Sequence, residues 1–358
     1  MSDKKTALVV CPGRGTYNKA ELGYLKRNGG GAAAFVAVAE AFSDRPFVAA
    51  ADAFREARGR PAISTLDGAA SFSVATYSRG DVASPLIYAS SYADFLAIDR
   101  SRIDIVAVAG NSMGWYTALA CGGALSPIGA LEVVDTMGGL MQETLIGGQI
   151  VTSLVDEEWR EIPGLRAEIL GLVAEIGAMP GEEIFVSIEL GGMLVLAGTN
   201  AAIAAIEPRL PRHDERFPMR LANHAAFHTP LLDGVAAAGR DRLGRDLFGA
   251  PAIPMIDGQG AIWWPGASRA DALYNYTLGR QVVGPYDFTG AIATAVREFA
   301  PDLVVVTGPG TTLGGAVAQS LIACHWRGLA SKADFLARQA ADPLVVSMGI
   351  EIQRGLVA

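Results

Sequence analysis

The strongest chemical signal in this 358-residue chain is a five-residue run, Gly110-Asn111-Ser112-Met113-Gly114. It follows the β-rich apolar run IDIVAVAG (103–110) and precedes an Ala-rich stretch, Trp115–Leu125, of helical character. A glycine-flanked serine between strand and helix is the setting of a nucleophile elbow. The glycines allow a sharp turn that pushes the Ser112 hydroxyl out at the strand's C-terminal end. The helix that follows offers unpaired N–H groups where negative charge would develop. With 42 glycines the bare pattern arises readily by chance, so its position between strand and helix carries the argument.

A serine nucleophile needs a base, and the chain has four histidines. His325 sits near the end of an apolar helix and reads as a core or surface residue. His213 lies in the charged stretch PRHDER. His224 and His228 share NHAAFHTP, and one of these two is the expected base. Their spacing of four suits metal ligands on a helix, but Pro230 follows and no carboxylate intervenes, so no metal site is expected. Cys121, nine residues beyond Ser112, lies in an apolar helix and reads as an inert buried cysteine.

The elements that must position these groups read as α/β. ALVVCPG (7–13), IDIVAVAG and DLVVVTGPG (302–310) are continuous apolar runs ending in tight turns. Helical stretches at Ala32–Phe42, Leu86–Ile98 and Trp115–Leu125 separate them, which implies a parallel sheet covered on both faces. The middle differs. Strands at 149–155, 184–190, 192–198 and 216–221, with helices near Leu165–Ile176 and Asn200–Leu210, give β-α-β-β-α-β. That order is the ferredoxin-like, split βαβ pattern, with Gly191-Gly192 as a hairpin. The expected organisation is a discontinuous catalytic domain (1–147 and 223–330), a ferredoxin-like insertion (148–222) and a C-terminal appendage (331–358).

Composition narrows the functional classes. Hydrophobic residues make up 51% and charged residues 18%, enough apolar material for a large core. The net charge of −8 argues against a non-specific nucleic-acid binder. No run reaches the ~18 apolar residues of a membrane span. The opening MSDKKTALVV lacks signal-peptide character, so a cytoplasmic protein is expected. Three widely spaced cysteines suggest neither a disulfide framework nor a zinc site.

Taken in order, several motifs give a specific resemblance. Pro12-Gly13-Arg14-Gly15-Thr16, Gly110 to Trp115, YTAL with Gly123-Ala124-Leu125-Ser126, Ala225-Ala226-Phe227-His228, Arg280-Gln281 and Thr307-Gly308-Pro309-Gly310 follow one another along the chain. They resemble PGQGSQ, GHSLGE, YSAL with GALS, HAFH, RQ and VGPG of malonyl-CoA:acyl-carrier-protein transacylases and polyketide synthase acyltransferase domains. The resemblance runs from residue 6 to about 325. It implies an α/β-hydrolase-like parallel-sheet domain with an inserted ferredoxin-like subdomain. It also implies acyl transfer from a CoA thioester to an acyl carrier protein through an acyl-serine, in fatty-acid or polyketide-type biosynthesis. Acyl-CoA and the phosphopantetheinyl carrier are then substrates, and no cofactor is required.

The same resemblance assigns roles. Ser112 is the nucleophile and His228 its base. Gln281 supplies the carbonyl acceptor that orients the histidine. The backbone N–H groups of Met113 and Arg14 form the oxyanion hole. Seven arginines between Arg209 and Arg245 could face an acidic carrier, though acidic residues are interleaved among them.

The departures concern the substrate. The family's malonyl enzymes hold the free carboxylate with an arginine 25 residues after the nucleophile, where this chain has Met137. A thioether cannot replace a bidentate guanidinium–carboxylate pair. Asn111 and Trp115 replace the family's histidine and glutamate beside the nucleophile, Arg14 replaces the glutamine of PGQG, and Phe227 precedes the base. The preferred expectation is an uncharged acyl group, with Met137, Asn111, Trp115 and Phe227 around it. The alternatives are a malonyl transferase with Arg14 as carboxylate anchor, and a carrier-protein thioester hydrolase. A non-catalytic carrier-docking module is disfavoured because Ser112 and His228 are both present.

Overall fold

The computed structural model describes residues 4–28, 46–212 and 216–358. The expected helix at Ala32–Phe42 and His213 lie outside the described residues. The chain enters with β1 (Lys5–Cys11) and β2 (Ile103–Gly110). It then builds β3 (Gly148–Ser153), β4 (Ile184–Leu190), β5 (Met193–Gly198) and β6 (Met219–Leu221). It finishes with β7 (Met255–Ile256), β8 (Ile262–Trp263), β9 (Tyr286–Asp287), β10 (Leu303–Val306) and β11 (Val345–Ser347).

These strands form two sheets. The larger has the order β11-β10-β1-β2-β7-β8, parallel except for β8 at one edge. Beyond their first two residues its central strands β1 and β2 are apolar, because both faces are covered there. Ala7, Val9 and Cys11 pack into one core, while Leu8 and Val10 pack into another on the opposite face. The α/β class expected from the sequence is what is observed. The smaller sheet has the order β6-β3-β5-β4-β9. Its first four strands are antiparallel neighbours in the arrangement of a split βαβ. The helices Leu165–Gly177 and Asn200–Ile206 cover one face over Ile150, Leu194 and Leu196. Val151, Ile188 and Val195 on the other face join the large sheet's second core.

Two differences from the sequence reading matter. The helix expected from Leu86 begins at Gly80 and runs to Ala97, with Pro85 inside it. A proline reads as a helix start, but here tertiary packing carries the helix through it. Residues 331–358 are not an appendage. They carry the helix Lys332–Ala341 and then β11, which pairs in parallel with β10 and closes one edge of the large sheet. A three-residue strand is too short to show a periodic pattern. The same segment sends Arg354 to the buried Asp94 at 2.6 Å, tying the chain end to the helix Gly80–Ala97.

Candidate active site

Ser112 sits between β2 and the helix Gly114–Cys121, with φ of +54°. A left-handed backbone at a non-glycine residue is the strained geometry of a nucleophile elbow. The flanking glycines are sterically required. A Cβ at Gly110 would collide with the Gly114 backbone, and one at Gly114 with the Cys11 carbonyl. The turn therefore needs both glycines of the motif to present the hydroxyl.

His228 Nδ1–H donates to the Gln281 carbonyl at 2.7 Å, which fixes the tautomer. Nε2 is then the bare acceptor, and Ser112 Oγ–H donates to it at 2.7 Å. The Gln281 carbonyl is available because its short helix, Gln281–Val283, ends at Gly284. The residues just before it, Tyr276–Arg280, are wound as a π-helix, a feature often found at functional sites. Burial pushes the His228 imidazole down to about 4, with the Gln281 carbonyl opposing the shift. The ring is thus neutral at pH 7, with Nε2 free to accept a proton. Among the described residues no carboxylate completes the pair; the acceptor is a peptide carbonyl.

The remaining expected residues divide into those that reach the dyad's surroundings and those that do not. Met113 and Arg14 carry main-chain N–H groups that meet no backbone acceptor among the described residues outside helices and strands. Met137, Phe227 and Arg14 line a small cavity of about 40 Å³ at Ser112, together with Val134, Met141 and Val282. Asn111 faces instead a second, larger cleft of about 500 Å³. Trp115 lines neither. It is fully buried, its Nε1–H donates to Thr277 Oγ1 at 3.0 Å, and its ring meets Tyr276 edge-on. Its assignment as a substrate contact is corrected: one residue into the helix, the side chain points into the core.

Arg14 borders both spaces. Its Nη2 donates to the carbonyls of Ser78 (2.6 Å) and Asn223 (3.1 Å), and the guanidinium lies over the Phe227 ring. Nε is buried with no hydrogen-bond partner. No carboxylate of the described residues lies within ion-pair distance of it. Burial lowers its pKa to about 10, which Asp81 partly opposes.

Other candidates fall away. Cys121 is buried beside Cys11, with its thiol pushed well up by burial, and lines neither space. His224 lines the larger cleft and bonds Gln149, not Ser112. Of the seven arginines, Arg209 pairs with Glu175, Arg242 with Glu143, Arg240 donates to Leu278, and Arg245 covers Tyr274. They are spread among separate local partners.

Besides the cavity residues Val134, Met141 and Val282, the sequence reading missed Tyr116, Tyr286 and Ser84. Tyr116 donates to Gln281 Oε1 at 3.0 Å, while Gln281 Nε2 donates to the Ser112 carbonyl at 3.1 Å. Tyr286 donates to the Gly110 carbonyl at 2.6 Å and packs its ring against His228. Ser84 joins the small cavity's lining. Tyr116 had a signal, its place in YTAL; Tyr286 and Ser84 had none.

The fold and site together define an α/β-hydrolase-like chain with a Ser–His pair at a nucleophile elbow. Its likeness is to the malonyl-CoA:acyl-carrier-protein transacylases, in sequence and in architecture. The malonyl CoA-acyl carrier protein transacylase of Escherichia coli O157:H7 is 27% identical over 219 residues, 58% of this chain and 63% of that protein. The match thus spans less than two thirds of that relative. The polyketide synthase GfsA of Streptomyces halstedii is 31% identical over 245 residues, 66% of this chain and 3% of the synthase. Among solved structures, the Synechocystis sp. PCC 6803 malonyl-CoA:ACP transacylase superposes with a TM-score of 0.72 at 16% identity, covering 99% of this chain and 100% of that one. A malonyl-transacylase solved with its type II polyketide synthase acyl-carrier protein gives 0.70 at 18% identity, covering 98% of each chain. No family model matches the chain. No helix of the described residues is long and apolar enough to cross a membrane.

Proposed function

We propose that this chain moves an acyl group from a CoA thioester to the phosphopantetheine thiol of an acyl carrier protein, through an ester on Ser112. The observation that carries this is the Ser112–His228 contact of 2.7 Å at the elbow, opening on a cavity of acyl size. His228 takes the hydroxyl proton as Oγ attacks the thioester carbonyl. The Met113 and Arg14 N–H groups face the oxygen that becomes negative. As the C–S bond breaks, the imidazolium returns its proton to the departing thiol. The carrier's thiol then repeats the sequence in reverse and leaves with the acyl group. The carrier-protein acceptor and the CoA donor are supported by what the sequence relatives are named for.

The acyl group is short and uncharged on this reading. Met137, Met141, Val134 and Val282 give the cavity an apolar wall, and about 40 Å³ admits only a few heavy atoms. One observation favours a second reading. The Arg14 guanidinium borders the same cavity with Nε unpartnered, so it could pair with the free carboxylate of a malonyl-type group. Intact-mass measurement over a panel of CoA thioesters tests both readings. Acetyl or propionyl addition at Ser112 outpacing malonyl addition supports the first, and the reverse order supports the second. No covalent adduct from any thioester would reject acyl transfer.

A further inference from the structure

The peptide unit joining Phe227 to His228 is fixed at both ends. The His228 N–H donates to the Val282 carbonyl at 3.1 Å, in the large domain. The Phe227 carbonyl accepts from Ser187 Oγ at 2.8 Å, in the small sheet. His228 itself has φ of +59°. A non-glycine residue keeps such a conformation only where its surroundings over-determine it. The base therefore owes its backbone angle to two domains at once.

Ser187 is placed for this by a defect in the sheet. The register between β4 and β5 shifts between Val186 and Ile188, so Ser187 is the extra residue of a bulge. Bulges re-aim side chains and recur beside active sites. Ser187 is fully buried, and its Oγ also accepts from Gln149 Nε2 at 2.7 Å. Gln149 lies on β3 opposite the small Ala197 of β5, the strand that separates it from β4. Gln149 Oε1 in turn accepts from His224 Nδ1 at 2.8 Å.

Every bond in this chain has one possible direction. The Phe227 carbonyl only accepts, so Ser187 donates to it; Ser187 must then accept from the Gln149 amide, whose oxygen accepts from His224. His224 therefore carries a proton on Nδ1. Burial, and then the Arg14 guanidinium, hold its pKa well below the usual histidine value, so the ring is neutral. His224 lines the larger cleft.

We infer that Ser187, Gln149 and His224 form a positioning relay that runs from the cleft wall to the Phe227 carbonyl and sets the orientation of the base His228. The relay touches no reacting atom; it acts through His228. It rests on the reading of Ser112 and His228 as nucleophile and base.

The test uses a small fluorophosphonate on the full chain, which phosphonylates an activated serine with loss of fluoride and needs no thioester. Ser187→Ala should slow adduct formation at Ser112 about tenfold, the loss of one orienting hydrogen bond. Ser187→Thr, which keeps the hydroxyl, should restore most of the rate. Gln149→Leu should fall between the two, and the double variant should be no slower than Ser187→Ala, because both cut one chain. Loosening the base also admits water to its ring, so the acid limb of the rate should move up from about 4 towards the ordinary histidine value in Ser187→Ala. A Ser187→Ala rate and acid limb equal to wild type would overturn the relay, as would failure of threonine to rescue. Wild-type Ser112 inert to the probe would overturn it together with the dyad. Normal phosphonylation without acylation by any CoA thioester would reject acyl transfer alone and leave the relay's own readouts in force.

Discussion

Two spaces meet at Arg14, and they differ about tenfold in volume and in the elements that wall them. The inner one, about 40 Å³, is walled mainly by the large domain and is mostly apolar: Val134, Met137, Met141, Val282. The outer one, about 500 Å³, lies between the two sheets and carries polar groups such as Asn111, Ser153, His224 and Gln319. Asn111 Oδ1 and Gln319 Oε1 are buried there without a donor. An apolar chamber selects by size and charge, because a charge inside it must find a partner or remain desolvated. The outer cleft, also walled mainly by apolar residues such as Val151, Leu190, Met193 and Phe217, has room for a longer ligand and offers it the polar groups named above. Ser112 and His228 line the inner chamber beside that junction, so on the proposed function the acyl group and what carries it can be probed by separate substitutions.

The largest effect should come from the junction. Ser112→Ala or His228→Ala should lower acyl-enzyme formation by about 10³-fold or more while leaving the fold intact, since nucleophile and base act as a unit. Intact mass and circular dichroism check both halves. Acylation persisting at another residue of Ser112→Ala would remove the dyad from the mechanism.

Next comes the inner chamber. Met137→Arg places a guanidinium among methionines and valines. It should slow acylation by neutral acyl-CoAs by about 10- to 100-fold and raise the relative rate with malonyl-CoA. Arg14→Gln is the counter-test on the chamber's other side. If wild type prefers malonyl-CoA and this change abolishes the preference, Arg14 is the carboxylate anchor. If preference among acyl groups is untouched, the chamber selects by apolar shape alone. Substitution of the outer cleft's Gln319 by Leu should change neither preference.

How much of this could be read beforehand depended on whether the information was local. Ser112 was legible because strand, glycines and helix are contiguous in the chain. His228 came with a motif, and Gln281 was reached by resemblance; the structure shows its backbone carbonyl on the histidine and its side chain on Ser112 and Tyr116. The βαββαβ order survived because its first five elements are long enough to carry their own pattern, while the three-residue β6 lies within the longer run RFPMRL (216–221). What failed was set by tertiary packing. Trp115 was placed at the substrate by its neighbour in sequence, but a helix turns about 100° per residue, so adjacent side chains face different ways. Tyr286 reaches Gly110 from 176 residues away. β11 is three residues of an edge, visible only once β10 is beside it.

The pH response is a gentler test of the same junction. The base must be neutral to accept the serine proton. Burial lowers its pKa, so protonation, and loss of rate, occurs only as pH falls through about 4. The rate of acyl-enzyme formation should thus stay flat across pH 5 to 7, where an exposed histidine with a pKa of about 6.5 would already be losing activity. A half-maximal rate near 6.5 would mean that the base is solvated, and the enclosed junction would be wrong.

The smallest expected effect separates core from chamber at Trp115. The residue lies next to Gly114 of the elbow, yet it is fully buried against Tyr276 and donates to Thr277. Trp115→Phe keeps an aromatic ring there and removes the indole N–H. Thr277 Oγ1 then loses its donor, and the smaller ring leaves part of the site unfilled. Each costs on the order of 1 kcal/mol, giving about 1–2 kcal/mol of lost stability. The melting temperature should fall by several degrees, while the order of preference among acyl-CoAs should not change. A changed preference with unchanged stability would return Trp115 to the substrate wall. The two spaces would then extend behind the elbow, where the structure places only packed side chains.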